Sequence, residues 1–224
     1  MPIPILMYHS INTEKNNVSL NIDNFRKQMF FLKKNNFQTI NLNKINNKNS
    51  NKKNFIITFD DGYEDVYLNA LPILKELNFS AICYFVTNFI GKYNFWDENK
   101  SNYKKMKLMN LTQIKSWIHE GMQVGAHTSN HIDLSNCEYN QKKNEIIEPI
   151  FFFKKNFSID IENFSYPFGK FDSQTTNIVK DYYKTAVTTQ RSRYKFNKFN
   201  FYNIPRVPIN NSTNLLKFWF KIYT

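Results

Sequence analysis

Two short clusters of side chains could bind a metal ion and move a proton. Asp60 and Asp61 are adjacent and run directly into Gly62, while His127 and His131 are separated by Thr128, Ser129 and Asn130. Imidazoles four positions apart reach the same side of a helical turn or loop and can share one ion. Adjacent carboxylates at a strand end point in different directions, so one can join that ion while the other holds a water. Two imidazoles and one carboxylate leave coordination positions open for a water or hydroxide and a substrate oxygen, as hydrolysis requires. The expected centre is therefore Asp61, His127 and His131 around a divalent ion, with Asp60 as the base that deprotonates the water. The ion would also steady the oxyanion formed when an amide carbonyl becomes tetrahedral. Taken singly, Asp60-Asp61 also fits an acidic turn, and the histidines fit solvated loop residues. The zinc-peptidase pattern His-Glu-x-x-His is absent.

The surrounding elements favour the catalytic reading. Short apolar runs predict strands at Pro4–Tyr8, Phe37–Ile40, Phe55–Phe59, Ala81–Val86, Gln123–Ala126, Asn163–Tyr166, Thr185–Thr188 and Ile204–Val207. Helical spacing predicts helices near Ile22–Lys34, Val66–Leu77, Leu111–Glu120, Tyr139–Lys155 and Ser173–Tyr182. Residues Asn43–Asn54 read as a polar surface connection, and Asn88–Asn110 as a long irregular loop of the kind that often carries function. Strand–helix repetition of this kind means α/β architecture with a parallel sheet. The expectation is one domain over residues 1–224, a distorted or incomplete (β/α) barrel of about seven strands, with a doubly wound open sheet as the alternative. In either case the carboxyl ends of the strands share one face. His9, Asp60-Asp61, His127, Tyr166-Pro167-Phe168 and Arg206 all fall there.

Bulk properties narrow the field less. An apolar fraction of 42% with 17% aromatic residues argues for a folded chain. The net charge of +12 invites an anionic partner, but the basic residues are scattered in pairs such as Lys104-Lys105 and Lys142-Lys143. With no basic arm, zinc-finger spacing or RNA-binding aromatic signature, no specific nucleic-acid partner is expected. Cys83 lies in an apolar run and reads as a buried thiol, and neither it nor Cys137 belongs to a close pair. No run of about 18 apolar residues spans a bilayer, although peripheral contact with an anionic membrane surface stays open. As written the chain reads as cytoplasmic, or extracytoplasmic if an export signal has been removed.

These motifs resemble the polysaccharide deacetylase family, the NodB-homology carbohydrate esterases (carbohydrate esterase family 4). Thr58-Phe59-Asp60-Asp61-Gly62 is similar to its first motif and His127-Thr128-Ser129-Asn130-His131 to its second. Met7-Tyr8-His9 resembles the opening of the branch that includes poly-N-acetylglucosamine deacetylases. The resemblance covers Ile5 to about Ile209 and implies a distorted (β/α) barrel that removes N-acetyl groups from an N-acetylated sugar, polymer or precursor. It implies Asp60 as base, a metal-bound water as nucleophile, and zinc or another divalent ion on Asp61, His127 and His131. No organic cofactor is implied.

Two departures follow from the same comparison. Where the family commonly has Arg-x-Pro-Tyr, this chain has Ser165-Tyr166-Pro167-Phe168, so Ser165 stands in place of the arginine that orients the base. Arg206 is the candidate to supply that guanidinium from another strand end. No histidine follows His131, so the family's late acid is missing and His9 is the candidate replacement. Phe168 would still offer its backbone N–H to the oxyanion. Tyr63, Trp96, Tyr166, Pro167 and Phe168 are the expected sugar-pocket residues. The departures leave open a second reading, a catalytically weak or inactive carbohydrate-binding module that retains the fold.

Overall fold

The chain alternates short strands with helices, and the apolar runs of the sequence become the strands. The computed structural model describes residues 2–14, 16, 18–45, 53–195 and 200–223. β1 (Ile5–Tyr8) leads through the two-residue strands β2 (Ser10–Ile11) and β3 (Ser19–Leu20) into α1 (Ile22–Lys34) and β4 (Phe37–Thr39). Then come β5 (Lys53–Phe59), α2 (Leu71–Glu76), β6 (Ile82–Phe85), α3 (Leu111–His119), β7 (Gln123–Ala126) and α4 (Tyr139–Phe157). β8 (Asn163–Ser165), α5 (Ser173–Tyr182), β9 (Thr185–Arg191), β10 (Ile204–Pro208) and α6 (Leu215–Tyr223) complete the order. The connection expected over Asn43–Asn54 ends early, because Lys53 and Asn54 already belong to β5; residues 46–52 lie outside the described residues.

Strand β1 decides between the two architectures. It pairs in parallel with β10 (Leu6 opposite Val207) and with β5 (Leu6 opposite Ile57), so the ring β1–β5–β6–β7–β8–β9–β10 closes on itself. An open doubly wound sheet would leave two edges, and this ring has none. β4 lies outside the ring, paired to the first half of β5 before β1 takes over the second half.

Alternation along the strands sorts side chains to two sides. Ile5, Ile56, Ile82, Tyr84, Val187 and Ile204 form one buried cluster, with Leu42, Ile45 and Tyr194 packed against it. Two residues further along β5 and β10, on that same inner side, stand Thr58 and Arg206, both fully buried. The opposite faces of the strands join the helices in the larger core, which includes Phe25, Phe55, Phe59, Trp117, Phe153 and Phe164.

Local chemistry explains three helix starts. The Asn21 side chain caps α1 by accepting from the Asp23 and Asn24 N–H groups, and Asn110 with Gln113 makes a reciprocal capping box at α3. Asp172 caps α5 through the Thr175 N–H. Two apolar runs divide between core and surface. Phe151-Phe152-Phe153 reads in the sequence as one buried helical face, but successive helical residues point about 100° apart, so Phe153 is buried and Phe151 is exposed. Leu68, Leu71 and Leu74 read as one apolar stripe, but Val66–Ala70 winds as a π-helical turn before α2, and the wider turn carries Leu68 to the surface. Pro72 follows directly on that wider turn, which accommodates its missing N–H within one continuous helical run. Among the described residues no helix is long and apolar enough to cross a membrane.

Gly125 sits where a neighbouring strand's backbone comes close. A Cβ there would lie 2.6 Å from the Tyr84 ring and 2.7 Å from the Asn163 carbonyl oxygen. A backbone oxygen cannot swing aside as a side chain can. Gly125→Ala should therefore lower stability by about 1–3 kcal/mol in urea unfolding, the cost of overpacking.

Candidate active site

The mouth of the barrel is built from the turns that end β5, β7 and β8. After Phe59, Asp60 is tied back by its N–H to the Tyr8 carbonyl (3.0 Å), and Asp61 and Gly62 both take left-handed φ values, 72° and 78°. That turn sends the two carboxylates apart. Gly62 is required, since a Cβ at this φ would come within 2.6 Å of the Phe85 ring.

Asp60 faces Arg206. The guanidinium meets it bidentately, Nη1 to Oδ1 at 2.7 Å and Nη2 to Oδ2 at 2.6 Å. Its other N–H groups reach the Thr188 carbonyl (3.0 Å), Thr58 Oγ1 (3.0 Å) and Ser165 Oγ (3.2 Å). All five donors of a fully buried arginine are thereby used. Ser165, at the position of the expected departure, donates in turn to Asp60 Oδ1 at 3.3 Å, and its small side chain leaves the guanidinium its place. Burial alone would raise the Asp60 pKa; the charge and hydrogen bonds of Arg206 outweigh it and hold the carboxyl below its ordinary value.

Asp61 faces the two histidines. Its Oδ1 lies 3.4 Å from His127 Nε2 and 3.3 Å from His131 Nε2, and one ligand atom from each residue falls within 4.8 Å of the others. His127 Nδ1 is 2.7 Å from the Ser165 carbonyl, which can only accept, so Nδ1 carries a proton and the Nε2 lone pair is left to face the carboxylate. Asp61 Oδ1 and His131 Nδ1 are buried without a hydrogen-bond partner. A buried, unpartnered carboxylate oxygen that faces two imidazole Nε2 atoms calls for a cation, and one carboxylate with two imidazoles is a donor set suited to zinc or a similar divalent ion. Without an ion the same electrostatics act on protons. Burial would raise Asp61, but the imidazoles hold it well below the usual range. Burial would lower His127, but Asp61 and Asp60 raise it; at His131 burial prevails and the pKa falls.

The loop carrying the histidines is strained and held from outside the barrel. Thr128 and His131 have φ of 64° and 56°. The Glu145 carboxylate on α4, itself buried, accepts from the Ser129 N–H (3.0 Å), the Asn130 N–H (2.9 Å) and Asn130 Nδ2 (2.5 Å). Glu148, one turn on, accepts from Ser129 Oγ at 3.1 Å. A comparable clamp holds the other side. Asp65 accepts from Ser10 Oγ (2.6 Å), the Ile11 N–H (3.0 Å) and Asn12 Nδ2 (2.8 Å), fixing the segment that follows His9. His9 Nε2 then stands 4.0 Å from Asp60 Oδ2, with its side chain partly open to solvent. Sequence reading missed Glu145 and Asp65. The only local trace of the first is the Glu145/Glu148 pair at helical spacing, and Asp65 lies close to the Asp60-Asp61 motif without any sign of its partners.

The expected pocket residues divide. Trp96 stacks on His131 (centroids 4.7 Å, planes 26° apart), and the exposed Phe168 meets the same imidazole edge-on at 4.6 Å. Tyr63 is buried; burial and then the nearby Asp61 charge push its phenol well above the usual value. Pro167 is buried beneath Phe168. Tyr166 is a correction: Ser165 points into the barrel, so the next residue points out to the helices. Its ring stacks on Phe171 at 4.3 Å and its hydroxyl donates to the Tyr202 carbonyl, leaving no face for a sugar. The long loop is also less irregular than expected. Asn94 pins it by donating to the Lys104 carbonyl and accepting from the Met106 N–H. Beyond Trp96 it walls a cleft of about 310 Å³, lined by Asn16, Asn94, Asp97, Asn102, Tyr103 and Met106 among others.

Two outcomes follow from this geometry. Arg206→Met strands a buried carboxylate and should cost about 3–5 kcal/mol in denaturant unfolding. Adding Asp60→Asn to it should cost less than the sum of the single changes, as expected for residues in contact. Glu145→Ala should leave the barrel folded by circular dichroism yet weaken divalent-metal binding by about 10–100-fold in a competition titration. Unchanged affinity would show that the loop needs no clamp.

The family model for polysaccharide deacetylase matches residues 47–187. YxkH of Bacillus subtilis, named for that family, is 29% identical over 195 residues, 84% of this chain, which spans 64% of its length. The poly-beta-1,6-N-acetyl-D-glucosamine N-deacetylase of Staphylococcus aureus is 25% identical over 227 residues, 96% of this chain and 76% of that one. Among solved structures, the Streptococcus pyogenes deacetylase PplD in complex with acetate superposes with a TM-score of 0.84 at 24% identity, covering 100% of this chain and 99% of that one. IcaB from Ammonifex degensii gives 0.83 at 16% identity, covering 100% and 97%, so the same barrel persists as sequences diverge. Since the matched segment runs from the approach to β5 into β9 and holds Asp60, Asp61, His127, His131 and Ser165, the chain belongs to the polysaccharide deacetylase family.

Proposed function

We propose that this protein hydrolyses the N-acetyl amide of an N-acetylated sugar, releasing acetate and a free amine. The observation that carries the reading is the pairing of two carboxylates with opposite duties. Asp60 is locked to Arg206, and Asp61 is turned away to converge with His127 and His131. A divalent ion held by Asp61, His127 and His131 would supply Lewis acidity, polarising the amide carbonyl and acidifying a water.

This chain's residues would do the rest. Asp60 takes the proton of the attacking water. Arg206 makes it a weaker base but keeps it ionised and fixed in direction, a workable exchange where the water is itself made more acidic. The Phe168 backbone N–H is positioned by its left-handed turn (φ 58°) at the rim of the site, and in this reading donates to the developing oxyanion. His9, within 4.0 Å of Asp60 and open to solvent, delivers a proton to the departing amine. Trp96 and Phe168 supply flat walls for the reacting sugar. The cleft lined by Asp97, Asn102 and Tyr103 offers polar groups to the hydroxyls of a neighbouring sugar, which favours an oligomer over a lone monosaccharide.

Metal analysis of the purified chain should find about one divalent ion, and chelation should abolish free-amine release from N-acetylglucosamine oligomers. In Asp60→Asn the ion should stay bound while kcat falls about 10²–10⁴-fold. His9→Ala should reduce kcat while the ion stays bound. Metal binding without amine release from any N-acetylated sugar would favour a binding module instead. An unchanged kcat in His9→Ala would remove His9 from the proton path.

A further inference from the structure

The His9 side chain has little of its own to hold it. Among the described residues its ring makes one polar contact, Asp60 Oδ2 at 4.0 Å, which is too long for a hydrogen bond. The imidazole therefore takes its direction from the backbone on either side. Both sides are tied to the segment that carries Asp60 and Asp61. Before His9, the Tyr8 carbonyl accepts from the Asp60 N–H at 3.0 Å. After it, β2 is gripped by Asp65 and Asn69.

That grip takes the place of a neighbouring strand. β2 lies in parallel beside β3 and spends the Ser10 and Asn12 N–H groups on the Val18 and Leu20 carbonyls. Ile11, fully buried between them, turns its own N–H and carbonyl to the other edge. There Asp65 Oδ1 accepts from the Ile11 N–H at 3.0 Å, and Asn69 Nδ2 donates to the Ile11 carbonyl at 2.7 Å. Asp65 Oδ2 also accepts from Ser10 Oγ (2.6 Å) and Asn12 Nδ2 (2.8 Å).

An acidic residue in the first turn of a helix is ordinarily explained by the helix dipole, which favours its charge. Asp65 lies in the first turn of the helical run that begins at Glu64, but its hydrogen bonds go to β2. Burial raises its carboxyl above the ordinary value, and the bonds from Ser10, Ile11 and Asn12 offset only part of that rise. A carboxylate kept at such a cost, with its bonds aimed at the strand after His9, serves arrangement.

We propose that Asp65 and Asn69 are positioning residues for His9, gripping the strand after it so that the imidazole and the Asp60 carboxylate ride on one rigid unit. The inference rests on the proton delivery assigned to His9 above. The rival account is that the two side chains only satisfy the buried amide groups of Ile11, which would make them a matter of stability alone.

A mutant cycle with His9 separates the two. Asn69→Leu removes one donor from a half-buried position, and Asp65→Asn keeps an acceptor for Ile11 while setting a donor against Ser10 and Asn12. Both variants should stay folded by circular dichroism and keep their divalent ion. Each should lower kcat on N-acetylglucosamine oligomers by up to about 100-fold with KM unchanged, the cost of misplacing a reacting group by about 1 Å. In His9→Ala the same changes should cost nothing further, because residues that act through one group do not add. A loss of kcat that persists undiminished in His9→Ala would overturn the proposal. A readout without turnover is the set of imidazole carbon–proton signals in the nuclear magnetic resonance spectrum. Asn69→Leu should move the His9 signal and leave those of His119, His127 and His131 in place. An unmoved His9 signal, or movement of all four, would also overturn it. Should His9→Ala leave kcat unchanged, the role given to His9 fails, and the His9 signal alone decides whether Asn69 places the ring.

Discussion

A guanidinium and a carboxylate taken together out of water, Arg206 and Asp60, set the terms for the rest of this barrel. Each ion costs several kcal/mol to desolvate, and mutual attraction repays that only when geometry is good and every remaining donor is satisfied. Here the condition is met by groups from separate strands. Thr58 comes from β5, Ser165 from β8 and the Thr188 carbonyl from β9, while the arginine itself is on β10. Thr58 accepts from Arg206 and donates to the Leu6 carbonyl on β1, so β1 is tied in as well. The pair is weak evidence for stability, but it constrains register strongly. Sliding β10 by one residue would turn Arg206 to the outer face and leave Asp60 alone inside. The pairing of β9 with β10 already shifts between Ile204 and Arg206, and it is beside this irregularity that Thr188 receives the arginine Nε.

The second half of the site depends on a different support. Asp60 is held from within the barrel, whereas the His127–His131 loop is held from outside by Glu145 on α4. The two systems meet at Ser165, whose hydroxyl touches Asp60 and Arg206 and whose carbonyl fixes the His127 ring. One small residue therefore relates the orientation of the Asp60 carboxylate to that of the His127 imidazole. An arginine at position 165 would have to occupy the space that the Arg206 guanidinium now fills, so the departure at 165 and the use of 206 are consistent with one another.

How much of this could be read in the sequence depended on the range of the interaction. Strands β5 and β7 were legible because apolar runs end directly in polar residues, and α1, α3 and α5 because Asn21, Asn110 and Asp172 are local caps. The convergence of Asp60, Asp61, His127 and His131 was legible because parallel strands put their carboxyl ends on one face. Closure of the ring was expected from the number of strand–helix units, and the pairing of β1 on both sides bears it out, although β1 shows nothing of this in its own residues. Glu145 and Asp65 act across 15 and 54 positions respectively, and no local pattern marks such partners. Tyr166 was misplaced by treating a strand-end motif as a unit when alternation sends neighbouring side chains to opposite faces. The helix α6 escaped notice because its residues lack the polar stripe by which a surface helix is recognised.

Backbone strain shows where the protein has given up stability for arrangement. Non-glycine residues with left-handed φ are Asn36, Asn78 and Ser158, which follow helices, and Asp61, Thr128, His131 and Phe168. The first three are small polar residues at sites where chains commonly make such a turn. The other four all border the candidate centre, and for a β-branched threonine or a bulky phenylalanine the conformation is unfavourable by about 1–3 kcal/mol each. Such conformations persist only if their surroundings insist on them. The structure supplies that insistence: Thr128 Oγ1 accepts from the His131 N–H, Glu145 binds the intervening N–H groups, and the Phe168 turn is closed by the Gly169 N–H on the Tyr166 carbonyl. A loop that merely connected β7 to α4 would have no reason to keep two strained residues at either side of two buried amides. One that must aim two imidazoles at a single carboxylate oxygen does, because relaxing either φ would swing a ring away from Asp61.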